Sequence, residues 1–445
     1  MMENDSTILP EPGQGPSQAQ GQGPSQGPSQ GPSQGPSQGP SQGPSQGPSQ
    51  GPSQAQGQGP SAAPATDAIT SWEELDAKIL LLRGIYSYGF EAPSPIQKQA
   101  IRPIFLRKDV IAQAQSGTGK TACFSIGTLQ IIDSTKNAPQ AILLSPTREL
   151  AQQTKNVMDA LGQLLPNFRS QLLIGGTSTD EDMHQLQRFP PQVLIGCPGR
   201  VHDMLKRKKI PVRDLQILVL DEADEMLSDG FKEQVYNIFQ FMPSAIQVVL
   251  FSATLPPELN TLTDKFMRNP VRILVKSEQL TLEGIRQYYV ALDNDDQKYD
   301  TLKDIYGALA VSQCIIFCNS IKRVSDLFQA MQLDNFPVCQ IHSGMEKEER
   351  MRSFEEFKSG KFRVLISSNV MARGIDVQQV STVINFDVPS CQHTYLHRIG
   401  RSGRWGRKGV GINFVTARDI RVLKDIEAFY QTSIPELPST WATEK

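Results

Sequence analysis

The sequence predicts an α/β fold: two tandem doubly wound parallel-sheet units behind a low-complexity tail. Three observations predict it. Short apolar runs rich in branched side chains alternate with amphipathic helical patterns over most of the 445 residues. The alternation halts once, at a polar stretch, and then restarts, while the N-terminal region before it has almost no apolar side chains. Alternation of this kind is the pattern of a parallel sheet covered by helices on both faces.

Residues 1–66 form the tail, in which Gly-Pro-Ser-Gln repeats without interruption from Gly23 to Gln54. A period of four excludes a collagen triple helix, which needs glycine at every third position. Too few apolar groups are present to offset the entropy of ordering, so the tail is expected to be disordered and without catalytic consequence. Residues 67–276 form the first unit, with strand-like runs at Val110–Ala112, Ala141–Ser145, Gln171–Ile174, Val193–Gly196, Ile217–Leu220 and Gln247–Phe251. Residues 277–284 read as a polar linker. Residues 285–445 form the second unit, with runs at Ile285–Leu292, Cys314–Cys318, Val338–Ile341, Arg363–Ser367, Thr382–Phe386 and Gly411–Val415.

Chemistry concentrates in two stretches of the first unit. Ala114 to Thr121 has the layout of a phosphate-binding loop between a strand and a helix expected over Thr121–Ile132. Gly117 and Gly119 let the backbone turn its N–H groups toward phosphates, with Ser116 before them and Thr118 between them. Lys120 neutralises charge there and Thr121 offers a hydroxyl to Mg²⁺. The second stretch, Ile217 to Asp224, reads as a buried strand that delivers carboxylates to the ligand-binding end of the sheet. Asp221 is placed to hold Mg²⁺, largely through water, and Glu222 to polarise the attacking water. Alone, those acids are better read as an acidic loop after a core strand; the phosphate loop upstream makes the catalytic reading the stronger one.

The second unit has no phosphate loop, but it carries Arg398, Arg401 and Arg404 spaced by three and interleaved with glycines. Such spacing puts guanidinium groups on one face, where they can fork onto phosphate oxygens. A basic surface helix is the bland alternative. With a nucleotide site on the other unit, Arg401 and Arg404 read instead as arginine fingers that meet the γ-phosphate when the units close. Asp376, at a strand-to-loop transition, is a further acidic candidate or merely a cap.

Composition narrows the class. Formal charge is −2, yet seven acidic and no basic residues precede Lys78, and removing them leaves the remainder at +5, which permits a phosphate-backbone partner. Six cysteines without paired spacing and five histidines argue against structural zinc and a disulfide framework. No run of 18 apolar residues occurs, so no membrane association is expected and the chain should be soluble and intracellular.

The phosphate loop, Pro146-Thr147-Arg148-Glu149-Leu150, Gly175-Gly176, Pro198-Gly199-Arg200, Asp221-Glu222-Ala223-Asp224, Ser252-Ala253-Thr254, Ala372-Arg373-Gly374-Ile375-Asp376 and His397-Arg398-Ile399-Gly400-Arg401 stand in one telling order. From about Ser71 onward the chain resembles the DEAD-box ATP-dependent RNA helicases. The resemblance implies two RecA-like domains, ATP and Mg²⁺ as cofactors, and a monomeric catalytic unit. It implies that Gln97 reads the adenine edge while Phe90 stacks on the ring, although core packing explains Phe90 equally well when seen alone. It implies that Asp376 approaches the ribose and that Ser252 and Thr254 couple hydrolysis to RNA. Thr147, Arg148, Gly176 and Arg200 would line the RNA path, joined by Ser368 and Arg373 from the second domain. Those contacts go to sugar and phosphate, so little base specificity is expected.

Within the family, the likeness is to the translation-initiation branch and its nuclear exon-junction paralogue. It implies a cytoplasmic helicase that opens messenger RNA structure or, alternatively, a nuclear RNA clamp with little turnover, and a helical-repeat scaffold protein as partner. Several positions depart from the family pattern. Cys197 replaces a usual Thr, Ser368-Asn369 a usual Thr-Asp, Ser343-Gly344 a usual Gly-Asp, and Trp72 an upstream Phe. None removes a phosphate-binding or hydrolytic residue, so the expectation is an active ATPase with an altered RNA grip.

Overall fold

The computed structural model describes residues 68–438 except 116, 228–229, 256, 275–283, 309–312, 373–376, 378 and 403–407. The repeat tail and most of the expected linker therefore lie outside the described residues. So do Ser116, Arg373, Asp376 and Arg404.

The first domain is built on β1 (Val110–Gln113), β2 (Ala141–Leu144), β3 (Ser170–Leu173), β4 (Val193–Gly196), β5 (Ile217–Asp221), β6 (Gln247–Ser252) and β7 (Val271–Ile273). They form a seven-stranded sheet in the order β3-β4-β2-β5-β6-β1-β7, and every neighbouring pair is parallel. The second domain holds β8 (Ile285–Ala291), β9 (Gln313–Phe317), β10 (Val338–Ile341), β11 (Val364–Ser367), β12 (Val380–Asn385) and β13 (Gly409–Val415). These make a six-stranded parallel sheet in the order β10-β11-β9-β12-β13-β8.

Covered on both faces, the central strands are mostly apolar, and their residues divide by parity. On β5, Ile217 and Val219 enter one core cluster while Leu218 and Leu220 enter the cluster on the opposite face. On β9, Ile315 and Phe317 face one way and Cys314 and Ile316 the other. The all-parallel doubly wound architecture expected from the alternation is what the chain adopts. Strand ends shift by one or two residues from those read in the sequence, and the helix after the phosphate loop runs Lys120–Ile131.

One strand lies outside the expected runs. Val271–Ile273 pairs along β1 at the sheet edge, and its three residues are too few to show a periodicity. The sheet order leaves β5, β6 and β1 side by side, with Asp221 opposite Phe251 and Gln113 opposite Ser252. Three separate sequence motifs thus emerge at one rim.

Candidate active site

The first wall of the site starts at the loop after β1. Gly117 and Gly119 adopt φ of 83° and 95°, a region that costs side-chain-bearing residues strain. At Gly119 space is also short, because a Cβ there would lie 2.6 Å from Gln97 Nε2. Thr118 Oγ1 closes the turn by donating to Gln115 O at 2.7 Å. Lys120 is buried in the first turn of the following helix, and Thr121 beside it is half-buried.

Gln97 lies in the helix Pro95–Phe105 and completes a capping box with Ser94. Its Oε1 accepts from Ser94 N at 2.8 Å, and its Nε2 donates to Gly119 O at 3.1 Å. The residue expected to read adenine is therefore fastened to the phosphate loop itself. Phe90 is half-buried and packs against the first core cluster, with ring centroids 4.8 Å from Tyr88 and 6.5 Å from Trp72. Trp72 Nε1 donates to Phe90 O at 3.1 Å. Core contact and a partly open face coexist in this one side chain.

At the end of β5 the backbone turns sharply, and Glu222 takes φ 52° and ψ 53°, left-handed geometry for a residue with a Cβ. The strain aims a buried carboxylate at the loop: Lys120 Nζ lies 3.2 Å from Glu222 Oε1. Burial opposes ionisation of Glu222, but Lys120, His397 and Arg401 outweigh it, and its carboxyl lies below the ordinary value. Asp221, which accepts from Glu222 N at 3.0 Å, goes the other way. Burial first, then the neighbouring Glu222 charge, pushes it up to about 7. Asp224 is anchored by β6 and the segment after it: Thr254 Oγ1 donates to Asp224 Oδ2 at 2.6 Å and Asp224 N to Ser252 Oγ at 3.3 Å.

The opposite wall comes from the helix Gln392–Ile399 of the second domain. His397 Nε2 lies 3.0 Å from Asp224 Oδ2, and Arg401 Nε donates to His397 O at 3.1 Å. Arg401 is buried, and its charge reaches Glu222 across the gap. The expectation that the arginines share one face fails at Arg398. Its guanidinium is turned into the second domain, because oxygens of Asn319, Asn369, Asn385 and Asp387 accept all its hydrogen bonds there.

Thr121 and Asp221 offer the hard oxygen donors that Mg²⁺ takes, and a buried acid crowded by a like charge is one that a divalent cation relieves, so the residues fit the ion. Ligating atoms of Glu222, Asp224 and His397 also lie within 4.8 Å of one another. Lys120 and Thr254 already engage the two carboxylates of that trio.

Of the residues expected along an RNA path, Arg148, Gly176 and Arg200 lie close together in the first domain. Gly176 (φ 85°) lies against Arg148, whose Nη1 would be 3.1 Å from a Cβ there. Thr147 caps the helix Arg148–Gly162, accepting from Leu150 N at 3.3 Å. Arg200 is held to Asp182 by an ion pair, and to Thr177 by bonds of 3.0 and 2.8 Å. Ser368 is half-buried. Cys197 occupies the N-cap of the helix Pro198–Lys206 with no side-chain cap bond, and burial pushes its thiol up to about 12, so it acts as a small apolar group. Nearby, the buried Arg350 of the second domain meets half-buried Glu149, with Nη2 at 2.6 Å from Oε2. Asp224, His397, Glu149 and Arg350 received no role from the sequence. Three of them lie inside quoted motifs, but nothing in a linear chain announces pairs separated by 173 and 201 residues.

Comparison with known proteins agrees with this arrangement. Residues 94–262 match the DEAD/DEAH box helicase family, and residues 297–406 the helicase conserved C-terminal domain. The chain is 53% identical over 372 residues to the ATP-dependent RNA helicase eIF4A of Chaetomium globosum, covering 84% of this chain and 93% of the relative, with the same figures for that of Neurospora crassa. Among solved structures it is similar to S. cerevisiae Dbp5 bound to RNA and ADP BeF3, at a TM-score of 0.79 and 35% identity, covering 84% of this chain and 97% of that one. A point variant of Dbp5 bound to a point variant of Gle1 and to IP6 gives a TM-score of 0.69 at 35% identity, covering 84% and 95%. A phosphate loop, an acidic strand end and a helix from a second parallel sheet meeting at one gap, in a chain with relatives of this identity, lead to one conclusion: the protein belongs to the DEAD-box family of ATP-dependent RNA helicases.

Proposed function

We propose that this helicase hydrolyses ATP in the gap between its domains and uses the cycle to open short messenger RNA duplexes during translation initiation in the cytoplasm. The observation that carries the reading is the 3.0 Å contact of His397 with Asp224, since it joins the second domain to the strand end that bears Glu222. Lys120, Thr118, Gly119 and the backbone around them bind the phosphates, and Gln97 and Phe90 hold the base. When phosphate arrives, Lys120 exchanges Glu222 for it, which frees that carboxylate to orient water. Arg401, with Arg404, neutralises charge that develops on the γ-phosphate. Thr121 and Asp221 would hold Mg²⁺, which supplies charge neutralisation at the β and γ phosphates when bound. Ser252 and Thr254 fix Asp224, so movement at His397 is felt at the acidic turn.

RNA laid along Thr147, Arg148, Gly176, Arg200, Ser368 and Arg373 favours the same closed arrangement as ATP, because both ligands touch both domains. Contacts to the backbone make it largely indifferent to base sequence. A helical-repeat scaffold protein that holds the domains near closure is the expected partner, in keeping with the Gle1-bound form of Dbp5. The relatives named as ATP-dependent RNA helicases, at 52–53% identity, do not favour a low-turnover clamp.

The test is ATP turnover by the full chain with and without single-stranded RNA, beside Glu222→Gln. RNA should raise turnover, and the variant should lose roughly 100-fold or more while still binding ATP. Turnover untouched by the substitution would remove Glu222 from the chemistry, and the absence of RNA stimulation would reject the helicase cycle.

A further inference from the structure

Arg398 is 0% exposed, and every acceptor it meets among the described residues is neutral. Nε and Nη2 donate to Asn369 Oδ1 at 2.9 and 2.6 Å, and Nη2 also donates to Asn319 Oδ1 at 2.7 Å. Nη1 donates to Asn385 Oδ1 at 3.1 Å and to the backbone oxygen of Asp387 at 2.8 Å. The ring of Phe317 lies 5.2 Å from its Cζ. A guanidinium offers five N–H donors, so the hydrogen bonding is complete, while the charge is answered only through space by the Asp387 carboxylate.

The carboxylate of Asp387 is committed elsewhere. It receives Lys298 at 3.3 Å, Arg323 at 2.7 Å and Asn319 N at 3.0 Å. Asp295 is shared by the same two cations, at 2.9 Å each. The Cys318 thiol, pushed up to about 12 by burial, is neutral at ordinary pH. Among the described residues, Lys298, Arg323 and Arg398 thus face two carboxylates, one of which Arg418 also approaches at 3.8 Å, so positive charge exceeds negative around Arg398. Buried charge without a countercharge is unfavourable. Here it is attached to the helix that carries His397 one residue away and leads to Arg401 three residues on.

We propose that Asn369 tunes how strongly this helicase holds its nucleotide: an amide rather than a carboxylate against Arg398 leaves the second domain with an extra buried positive charge that attracts the phosphates across the gap. The inference rests on the ATP site described above. Asn369 is a positioning residue that acts through Arg398, and it lies at an exposed rim of the cage. Asparagine and aspartate are isosteric. Replacing one with the other keeps the Oδ1 acceptor and the bonds to Arg398 and changes only the charge.

The experiment compares the full-length wild type with Asn369→Asp at saturating RNA, reading the KM for ATP, kcat, direct ADP affinity and thermal unfolding. Cancelling one unit charge on the helix that leads to Arg401 should raise the ATP KM and weaken ADP binding roughly three- to tenfold. The kcat should stay within about twofold and the melting temperature should be unchanged or higher, because the new carboxylate answers a charge already buried. Nucleotide affinities within about twofold of wild type, or tighter binding, would overturn the inference even with a raised melting temperature, which is all that a merely structural Asn369 predicts. Direct ADP binding keeps this outcome separate from that of the functional reading, which fails instead if RNA does not stimulate the wild type.

Discussion

At the scale of single residues, the acidic turn shows function taking precedence over stability. Glu222 holds a left-handed backbone and Asp221 a buried carboxyl that would be easier to keep neutral. For Asp221 the sign of the pH dependence follows directly. Its folded value, about 7, exceeds the ordinary 3.8, so the folded protein keeps a proton that the unfolded chain releases, and stability from this group declines as pH rises from about 4 to about 7. Asp221→Asn cannot titrate. In magnesium-free buffer its stability relative to wild type should improve by roughly 1–3 kcal/mol between pH 4 and pH 8, while RNA-stimulated ATPase falls by about 100-fold. Urea unfolding at the two pH values reads the first effect; a difference that does not change with pH would mean that Asp221 carries no retained proton. Much of this turn was legible beforehand. Acids directly after four apolar residues marked Asp221 and Glu222, but the sequence could not show that Lys120 pairs with one of them and that burial pushes the other up.

At the scale of elements, two helices of the second domain each send a polar side chain to the first. Helix Gln392–Ile399 provides His397 for Asp224, and helix Lys347–Lys358 provides Arg350 for Glu149 on the helix Arg148–Gly162. The second pair borders the surface formed by Arg148 and Gly176, where Lys347 also lies close. Arg350→Ala should leave Glu149 without its partner and lower RNA-stimulated turnover by roughly three- to tenfold, with less effect on turnover without RNA. The exchange Glu149→Arg with Arg350→Glu should recover part of that loss. If the double variant is no better than the product of the single ones, the two side chains do not couple. Strands were the most readable elements because burial on both faces makes them continuous apolar runs. Val271–Ile273 escaped because its pairing along β1 comes from the sheet edge and not from any pattern of its own.

At the scale of the whole molecule, the chain joins two parallel sheets, each with core clusters on both faces, to a repeat tail that offers almost nothing to bury. A tail of that composition has few apolar side chains to pack and no phosphate-binding motif, so deleting residues 1–66 should leave RNA-stimulated kcat and KM within about twofold of the full chain. A larger change in steady-state kinetics would give the repeats a part in the cycle. The sequence by itself determined where all but one of the described strands lie, where the phosphate-loop motif sits and which carboxylates stand at the strand end. Those properties depend on local periodicity and on short motifs whose residues are neighbours in the chain. Only the tertiary structure decided that Arg398 turns inward to a cage of asparagines while Arg401 turns to the gap, and that Asp224 meets His397. Such choices are made by which neutral or charged oxygens the other strands bring within about 3 Å, a distance that depends on the folding of the whole chain.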